Sequence, residues 1–245
     1  EDLETIEPDK LVKARDALIN QLAEALEEDL KRTYGLRAND SEYTLDAASI
    51  GRRRLKNLCL GWLGRLGKNE TIQLAIDQIN VERNMTDVIA GLRVLSHIDI
   101  PEREEELNDF YEKWKHDPLV TDKWLALQAT AKRENVIEDV KRLMEHPAFN
   151  RRNPNRIRSL IGAFTRGNFD GFHRADGEGY RLLADFVIEL DPANPQIASG
   201  LVQAMIRWRR FDEFRQYKIK DQLHRVISAR RCSDNTNEVV SRALA

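Results

Sequence analysis

Apolar side chains recur along this chain at spacings of three, four and seven residues, the period of an α-helix that buries one side. The pattern begins with Leu11, Leu18, Leu22, Ala25 and Leu26. It returns in the stretches 55–66, 72–79, 88–95, 107–114, 124–127, 136–143, 157–164, 182–190, 197–205 and 214–219. No stretch alternates strictly between apolar and polar residues with β-branched enrichment, as a half-buried strand would. The pattern predicts an all-α chain.

Prolines stand where several of these helices are predicted to begin. Pro118, Pro154 and Pro195 each follow an Asp or an Asn. This pair suits a helix start, because the first side chain caps a free N–H group and proline has no N–H to lose. Short connectors join the segments, and no linker rich in Pro or Ser divides them. We therefore expect about eleven or twelve helices in one continuous domain, residues 1–245.

Two stretches suggest an internal repeat. NPNRIRSLIGAF starts at residue 153 and NPQIASGLVQAM starts at residue 194, so they begin 41 residues apart. This spacing is typical of HEAT or armadillo helix pairs and is longer than the 34-residue tetratricopeptide unit. Many helices of similar length with short loops stack into a curved array. The predicted fold class is an all-α superhelical solenoid of stacked antiparallel helix pairs, HEAT- or armadillo-like.

Charge is distributed unevenly along the chain. The net charge is −2, with 39 Lys and Arg against 41 Asp and Glu. Residues 1–150 contain 22 basic and 30 acidic residues, a net of −8, and residues 151–245 contain 17 and 11, a net of +6. Either the two ends complement each other, or the C-terminal portion attracts anions. Trp208 lies among arginines in 207–215, but Asp212 and Glu213 interrupt this basic stretch, which argues against nucleic acid as the partner.

The sequence indicates a cytoplasmic location and excludes a membrane-spanning helix. No apolar run approaches the ~18 residues that cross a bilayer, and no charged-then-apolar leader opens the sequence. Cys59 and Cys232 lie far apart and suit ordinary packing thiols in a reducing compartment. We expect a cytoplasmic protein with no membrane partner.

Catalytic and metal-binding motifs are missing from the sequence. It contains no H-E-x-x-H, no two histidines three or four residues apart, and no glycine-rich phosphate loop. His173, Asp176 and Glu178 lie in a glycine-rich stretch, which we interpret as a connector between helices, because no nucleophile accompanies them. The sequence therefore predicts no catalytic residue, metal ligand or cofactor on this chain.

Five stretches carry a resemblance to a known family. RNMTDVIAGL at 83–92, LVTDKWLALQAT at 119–130, NPNRIRSLIGAF at 153–164, FHRADGEGY at 172–180 and NPQIAS at 194–199 resemble the C-terminal region of bacterial aminopeptidase N. These enzymes are zinc-dependent exopeptidases of the gluzincin class. The resemblance runs from about residue 45 to the terminal RALA. It implies the last, all-helical domain of a four-domain parent, whose zinc ligands and general-base Glu lie upstream, so that this chain alone is inactive.

The resemblance also implies substrate-binding residues. In such enzymes the helical domain encloses a chamber and gates access to it, and Arg158 and Gln196 would face that chamber. A guanidinium offers a planar fork of donors to peptide carbonyls or a carboxylate, and the amide of Gln196 both donates and accepts. Relatives place a second Arg where this sequence has Gly200. Arg156 is interpreted as an ordinary surface residue.

Two other functions are kept as alternatives. A stand-alone helical-repeat scaffold would bind proteins through its concave face. A nucleic-acid binder would use the +6 C-terminal portion and lose affinity steeply with salt. The preferred hypothesis is the aminopeptidase domain, with peptide substrates and the catalytic and N-terminal domains of the same polypeptide as partners.

Overall fold

The computed structural model describes residues 4–38, 43–81 and 84–245, and these ranges form helices and loops without a named strand. The all-α prediction is confirmed. Arg83, the first residue of the 83–92 motif, lies outside the described residues. The helices are α1 (Pro8–Ala25), α2 (Glu27–Arg37), α3 (Ala47–Gly64), α4 (Asn69–Val81), α5 (Met85–Ser96), α6 (Pro101–Trp114), α7 (Pro118–Ala129), α8 (Val136–Met144), α9 (Pro154–Ile157), α10 (Ala163–Gly167), α11 (Phe169–Phe172), α12 (Glu178–Leu190), α13 (Pro195–Val202), α14 (Glu213–Ile227) and α15 (Asp234–Leu244).

Twelve of the helices in these described ranges have eight or more residues, in line with the expected number. The remaining three, α9, α10 and α11, have four or five residues each. A π-helical turn, Arg158–Gly162, joins α9 to α10, and a 3-10 turn covers Trp208–Arg210. None of the helices in the described ranges is both long enough and apolar enough to cross a bilayer.

The predicted proline starts are confirmed. Helices α7, α9 and α13 begin at Pro118, Pro154 and Pro195. The preceding side chain caps each of them. Asp117 accepts from the backbone N–H of Leu119 at 2.8 Å, Asn153 from that of Asn155 at 2.9 Å, and Asn194 from that of Ile197 at 3.1 Å. These caps satisfy donors that the first helical turn leaves unpaired.

The chain folds into two compact units. One comprises Lys13–Leu127, and the other comprises Gln128–Ala245 together with the described residues up to Val12. The single domain 1–245 stays a prediction. All the site residues expected from the sequence belong to the second of these units, which we call the C-terminal unit.

A buried carboxylate organises the unit Lys13–Leu127. Asp87 at the start of α5 is 4% exposed and accepts from Lys56 at 2.6 Å and from Asn57 at 2.8 Å, both on α3. Gln78 on α4 donates to the backbone carbonyl of Asp87 at 2.8 Å and accepts from Tyr34 on α2. A buried carboxylate is costly unless it is paired and hydrogen-bonded. This network therefore fixes four helices against one another.

A buried aromatic group forms part of the core of the C-terminal unit. His173 is 7% exposed, and its Nδ1 lies 2.8 Å from the hydroxyl of Tyr180. Its ring packs against those of Phe172 and Phe211, with centroids 4.9 and 4.4 Å away. Gly179 lies so close to Phe172 that a Cβ at position 179 would stand 2.4 Å from the Phe172 carbonyl oxygen. No side chain fits at position 179.

The beginning of the described chain joins this same unit through Arg215. Its buried guanidinium donates to the carbonyl of His173 at 2.8 Å, to Asp212 at 2.9 Å and to Asp9 at 2.7 Å. Next to it, Ile6 pairs with Phe211 in an isolated parallel bridge. Residues near the start of the chain are thereby held on α14, more than two hundred positions later.

We predict that acid weakens this unit through His173. Burial, and secondly the charge of Arg215, lower the pKa of His173 to about 4. In the unfolded chain the pKa is near its ordinary value of about 6.5, so between these values the unfolded state binds more protons. The stabilisation is fully present above about pH 6.5 and is lost as pH falls towards 4, by about 3 kcal/mol at most.

Urea unfolding of wild type and His173→Gln at several pH values checks this prediction. The wild-type advantage should shrink as pH falls from 7 to 4. An advantage that stays constant over this range would contradict it.

Candidate functional site

The three residues expected to bind substrate lie on two helical segments of the C-terminal unit. Arg158 opens the π-helical turn between α9 and α10. Gln196 is the second residue of α13, and Gly200 follows one turn later on the same helix. The capping side chains of Asn153 and Asn194 fix where these two segments begin.

Arg158 and Arg156 have different environments, although only one residue separates them. Arg156 is partly buried and its Nε donates to the backbone carbonyl of Ala148 at 3.1 Å. Arg158 is exposed, and within the described ranges its guanidinium makes no hydrogen bond or ion pair. Arg156 therefore supports the fold, whereas Arg158 has all its donors available.

The π-helical turn brings a second arginine to the side of Arg158. A regular α-helix advances about 100° per residue, so residues eight apart point about 80° away from each other. A π turn accommodates one additional residue, which reduces the offset between Arg158 and Arg166 to about 20°. Gly162 lies between them without a side chain. The turn thus places both arginines on one side of 154–167.

Arg166 connects this side to α13. Its Nη2 donates to the backbone carbonyl of Gly200 at 3.0 Å. Arg166 is exposed and forms no ion pair with any residue of the described ranges. A Cβ built on Gly200 would meet no atom within 4 Å, so open space lies beside this bond.

Gln196 on α13 lies on the same side as Gly200. Its side chain is exposed, and its amide makes no hydrogen bond within the described part of the chain. Residues four apart lie on the same side of a helix, so Gln196 and Gly200 share one side of α13. We call Arg158, Arg166, Gln196 and Gly200 the arginine surface. Two unpaired guanidinium groups and an amide are suited to carboxylate and carbonyl oxygens.

Sequence reasoning predicted Arg158, Gln196 and Gly200 as substrate-binding residues and did not include Arg166. The bond from Arg166 to Gly200 places the two helical segments next to each other, but Arg158 and Gln196 share no hydrogen bond. Arg158 and Arg166 are eight residues apart, and α-helical periodicity predicts that such residues point in different directions. Only the π turn reveals that they share a side.

The glycine-rich stretch 171–180 has a structural role. His173 is buried in the aromatic group, and Asp176 accepts from Arg174 and from the backbone N–H of Glu178. Gly177 has a φ of 79°, a conformation that favours glycine. No group of three or more His, Cys, Asp or Glu in the described residues is arranged to hold a metal ion. The residues seen here therefore do not fit a zinc site.

The basic stretch 207–215 is also structural. Trp208 is buried, and its Nε1 donates to the carbonyl of Ala243 at 2.9 Å. Arg209 lies over the Trp208 ring at 4.3 Å and donates to the same carbonyl. Trp208 is thus not available to stack on bases. The interactions of this stretch hold α15 in place.

A known domain family matches the whole chain. Its description is "Domain of unknown function (DUF3458_C) ARM repeats", and the match covers residues 1–245. The chain belongs to this family. ARM repeats are armadillo-type helical repeats, which confirms the predicted solenoid class.

Relatives with assigned activities are aminopeptidases. The chain is 42% identical over 247 residues to aminopeptidase N of Haemophilus influenzae, with 100% of this chain and 28% of that protein covered. It is 37% identical over 242 residues to aminopeptidase N of Escherichia coli, with 98% and 28% covered. The chain therefore spans little more than a quarter of the length of these relatives, and it matches their C-terminal domain.

A solved structure shares the fold. The crystal structure of Legionella pneumophila aminopeptidase A in complex with aspartic acid superposes with a TM-score of 0.90 and 31% identity. The superposition covers 99% of this chain and 29% of that one. The predicted resemblance to the C-terminal helical domain of bacterial aminopeptidase N is confirmed.

We predict that Gly200→Ala stabilises the fold by about 0.5–1 kcal/mol, because alanine restricts the unfolded chain and its methyl group meets no atom in the helix. Gly179→Ala serves as the matched control. It should be strongly destabilising, since its Cβ would collide with the Phe172 carbonyl. Urea unfolding of both variants measures the difference. Destabilisation by Gly200→Ala would contradict the conclusion that a side chain at this position meets no other atom.

Proposed function

We propose that this chain is the C-terminal helical domain of a zinc-dependent aminopeptidase that removes N-terminal residues from peptides. The observation that carries the proposal is the match over the full chain to aminopeptidases of which it spans only 28%. The domain caps the active-site chamber, gates access to it and binds the substrate beyond the scissile bond.

Arg158 and Gln196 are the proposed substrate-binding residues. Both are exposed and have unused hydrogen-bonding groups within the described ranges. Arg158 donates to peptide carbonyls or to the terminal carboxylate of a short peptide, and Gln196 pairs with the peptide backbone. Gly200 leaves room for bulky residues next to them. Holding the substrate after the cleaved bond orients that bond for hydrolysis.

The catalytic zinc and the general base are proposed to lie on upstream domains of the same polypeptide. The described residues of this chain offer no metal-binding cluster, so the isolated chain should not hydrolyse peptides. In the complete enzyme the metal would supply an activated water. We place the enzyme in the cytoplasm, in keeping with the two free cysteines.

Exposed leucines support a partner for the unit Lys13–Leu127. On α1, Leu18 is 58% exposed, and on α3, Leu58 is 54% exposed, with Leu22 and Leu55 also open to solvent. Gly51 on the same side of α3 would let a neighbour approach closely, because nothing lies within 4 Å of a Cβ built there. Exposed apolar surface of this kind marks an interface. We assign it to the upstream part of the same polypeptide, given the greater length of the relatives.

The same leucines support the second candidate, a stand-alone helical-repeat scaffold that binds another protein. The size of the native polypeptide distinguishes the two proposals.

We expect an antibody raised against this chain to detect, in the source organism, a polypeptide several times larger than 28.4 kDa. The larger polypeptide, once purified, should release N-terminal residues from peptides, and the 245-residue chain should not. A native band at 28.4 kDa would refute the aminopeptidase domain and assign the leucines to a separate partner or a second copy.

We predict that Arg158→Ala in the full-length enzyme raises KM for tripeptides by about tenfold, the loss of about 1.4 kcal/mol of hydrogen bonding to a charged group. An aminoacyl amide with a small leaving group ends before Arg158 and should keep its KM. Steady-state kinetics on both substrates measures this, with the exposed Arg152→Ala as the control that changes neither. An equal effect of Arg158→Ala on both substrates would refute the substrate-binding role.

A further inference from the structure

We propose that Arg166 binds a carboxylate of the substrate whose backbone Arg158 holds, and so favours acidic or carboxylate-terminated peptides. This inference rests on the proposed function and adds a specificity residue to it. It follows from the geometry of the π-helical turn, from the contact with Gly200 and from the missing ion pair of Arg166.

The two guanidinium groups form a row along one side of 154–167. Eight residues of helix rise by about 12 Å, and an extended peptide rises by about 3.4 Å per residue. The row between Arg158 and Arg166 therefore spans about three residues of an extended peptide. A peptide backbone held at Arg158 brings a carboxylate about three residues away to Arg166.

The hydrogen bond to the Gly200 carbonyl orients Arg166 and leaves its positive charge uncompensated. A guanidinium has five N–H donors, and the Gly200 carbonyl takes one of them at 3.0 Å. The remaining donors suit the two oxygens of a carboxylate, which arginine binds in a fork geometry. A neutral carbonyl cannot compensate the positive charge, so the site still favours an anion.

Several other exposed arginines of the C-terminal unit have acidic partners. Arg151 pairs with Glu189, Arg225 with Asp185 and Arg242 with Glu238, each at 2.7 Å. These residues carry exposed salt bridges of the ordinary surface type. Arg158 and Arg166 lack such a partner in the described ranges. Their positive charges are therefore available to a carboxylate of the substrate.

Open space beside Gly200 leaves room for a second arginine next to this contact. No atom lies within 4 Å of a Cβ built on Gly200. An arginine at position 200 would carry a guanidinium into this space, on the residue whose carbonyl now accepts from Arg166.

Substrate pairs in the full-length enzyme test the proposal. Pentaalanine and its C-terminal amide differ only in the terminal carboxylate, and Ala-Ala-Ala-Ala-Glu-amide and Ala-Ala-Ala-Ala-Gln-amide differ only in a side-chain carboxylate. We expect Arg166→Met to raise KM for the carboxylate member of at least one pair about tenfold. The neutral member should change by less than about twofold, and kcat should be unchanged for both. The pair that responds identifies the source of the carboxylate.

A second variant distinguishes binding from a structural effect. In Arg166→Met/Gly200→Arg we expect the KM for the carboxylate peptide to return to within about threefold of wild type. If Arg166 only supported the fold, an arginine on the neighbouring helix would not restore the KM for the carboxylate peptide. Arg152→Met is the matched control for loss of one exposed arginine and should leave all four KM values unchanged.

Equal KM changes for the members of both pairs, or no change in either, would overturn the role of Arg166. Failure of the double variant to recover would overturn it as well. The same assays also measure whether the wild-type enzyme cleaves the peptides at all. An enzyme that cleaves both pairs but shows no carboxylate discrimination refutes the inference while leaving the proposed function intact, and a wild-type enzyme without peptidase activity refutes the proposed function.

Discussion

The pairing of one buried guanidinium determines how the C-terminal unit is assembled. A buried charge is costly unless its donors are satisfied. Arg215 meets this requirement with acceptors from three parts of the chain, namely Asp9, Asp212 and the carbonyl of His173. Removing any of them would leave a charged donor buried without a partner. The arginine therefore ties the beginning of the described chain and the glycine-rich connector to α14, next to the aromatic group around His173.

The arginines of the arginine surface differ from Arg215 in how their donors are used. Arg215 and Arg156 use their donors within the protein, whereas Arg158 leaves its donors to solvent or a ligand and Arg166 uses one of its donors at Gly200. Burial and pairing thus distinguish arginines that stabilise this fold from arginines whose donors are available to a ligand. A π turn costs hydrogen-bond quality within a helix and is often found at functional sites. Here it aligns two cations that a regular helix would turn apart.

Local signals in the sequence predict much of this structure. The Asn–Pro pairs place the starts of α9 and α13, and apolar periodicity identifies the helices, since both depend on neighbours within one turn or two. Arg158, Gln196 and Gly200 came from resemblance, whereas Arg166 was missed, because the π turn changes the period on which a helical assignment relies. The pair Asp9–Arg215 was not predictable either. It joins residues 206 positions apart, and no local pattern encodes such a contact.

Gly179 and Gly200 differ in the space that surrounds them. At position 179 the backbone of Phe172 leaves no space for a side chain, so any substitution would break the fold before it changed function. At position 200 no atom lies within reach of a new side chain, and a glycine codon becomes an arginine codon by a single base change. A single base change at position 200 therefore adds a positive charge beside the Arg166 contact while the helices beneath keep their packing.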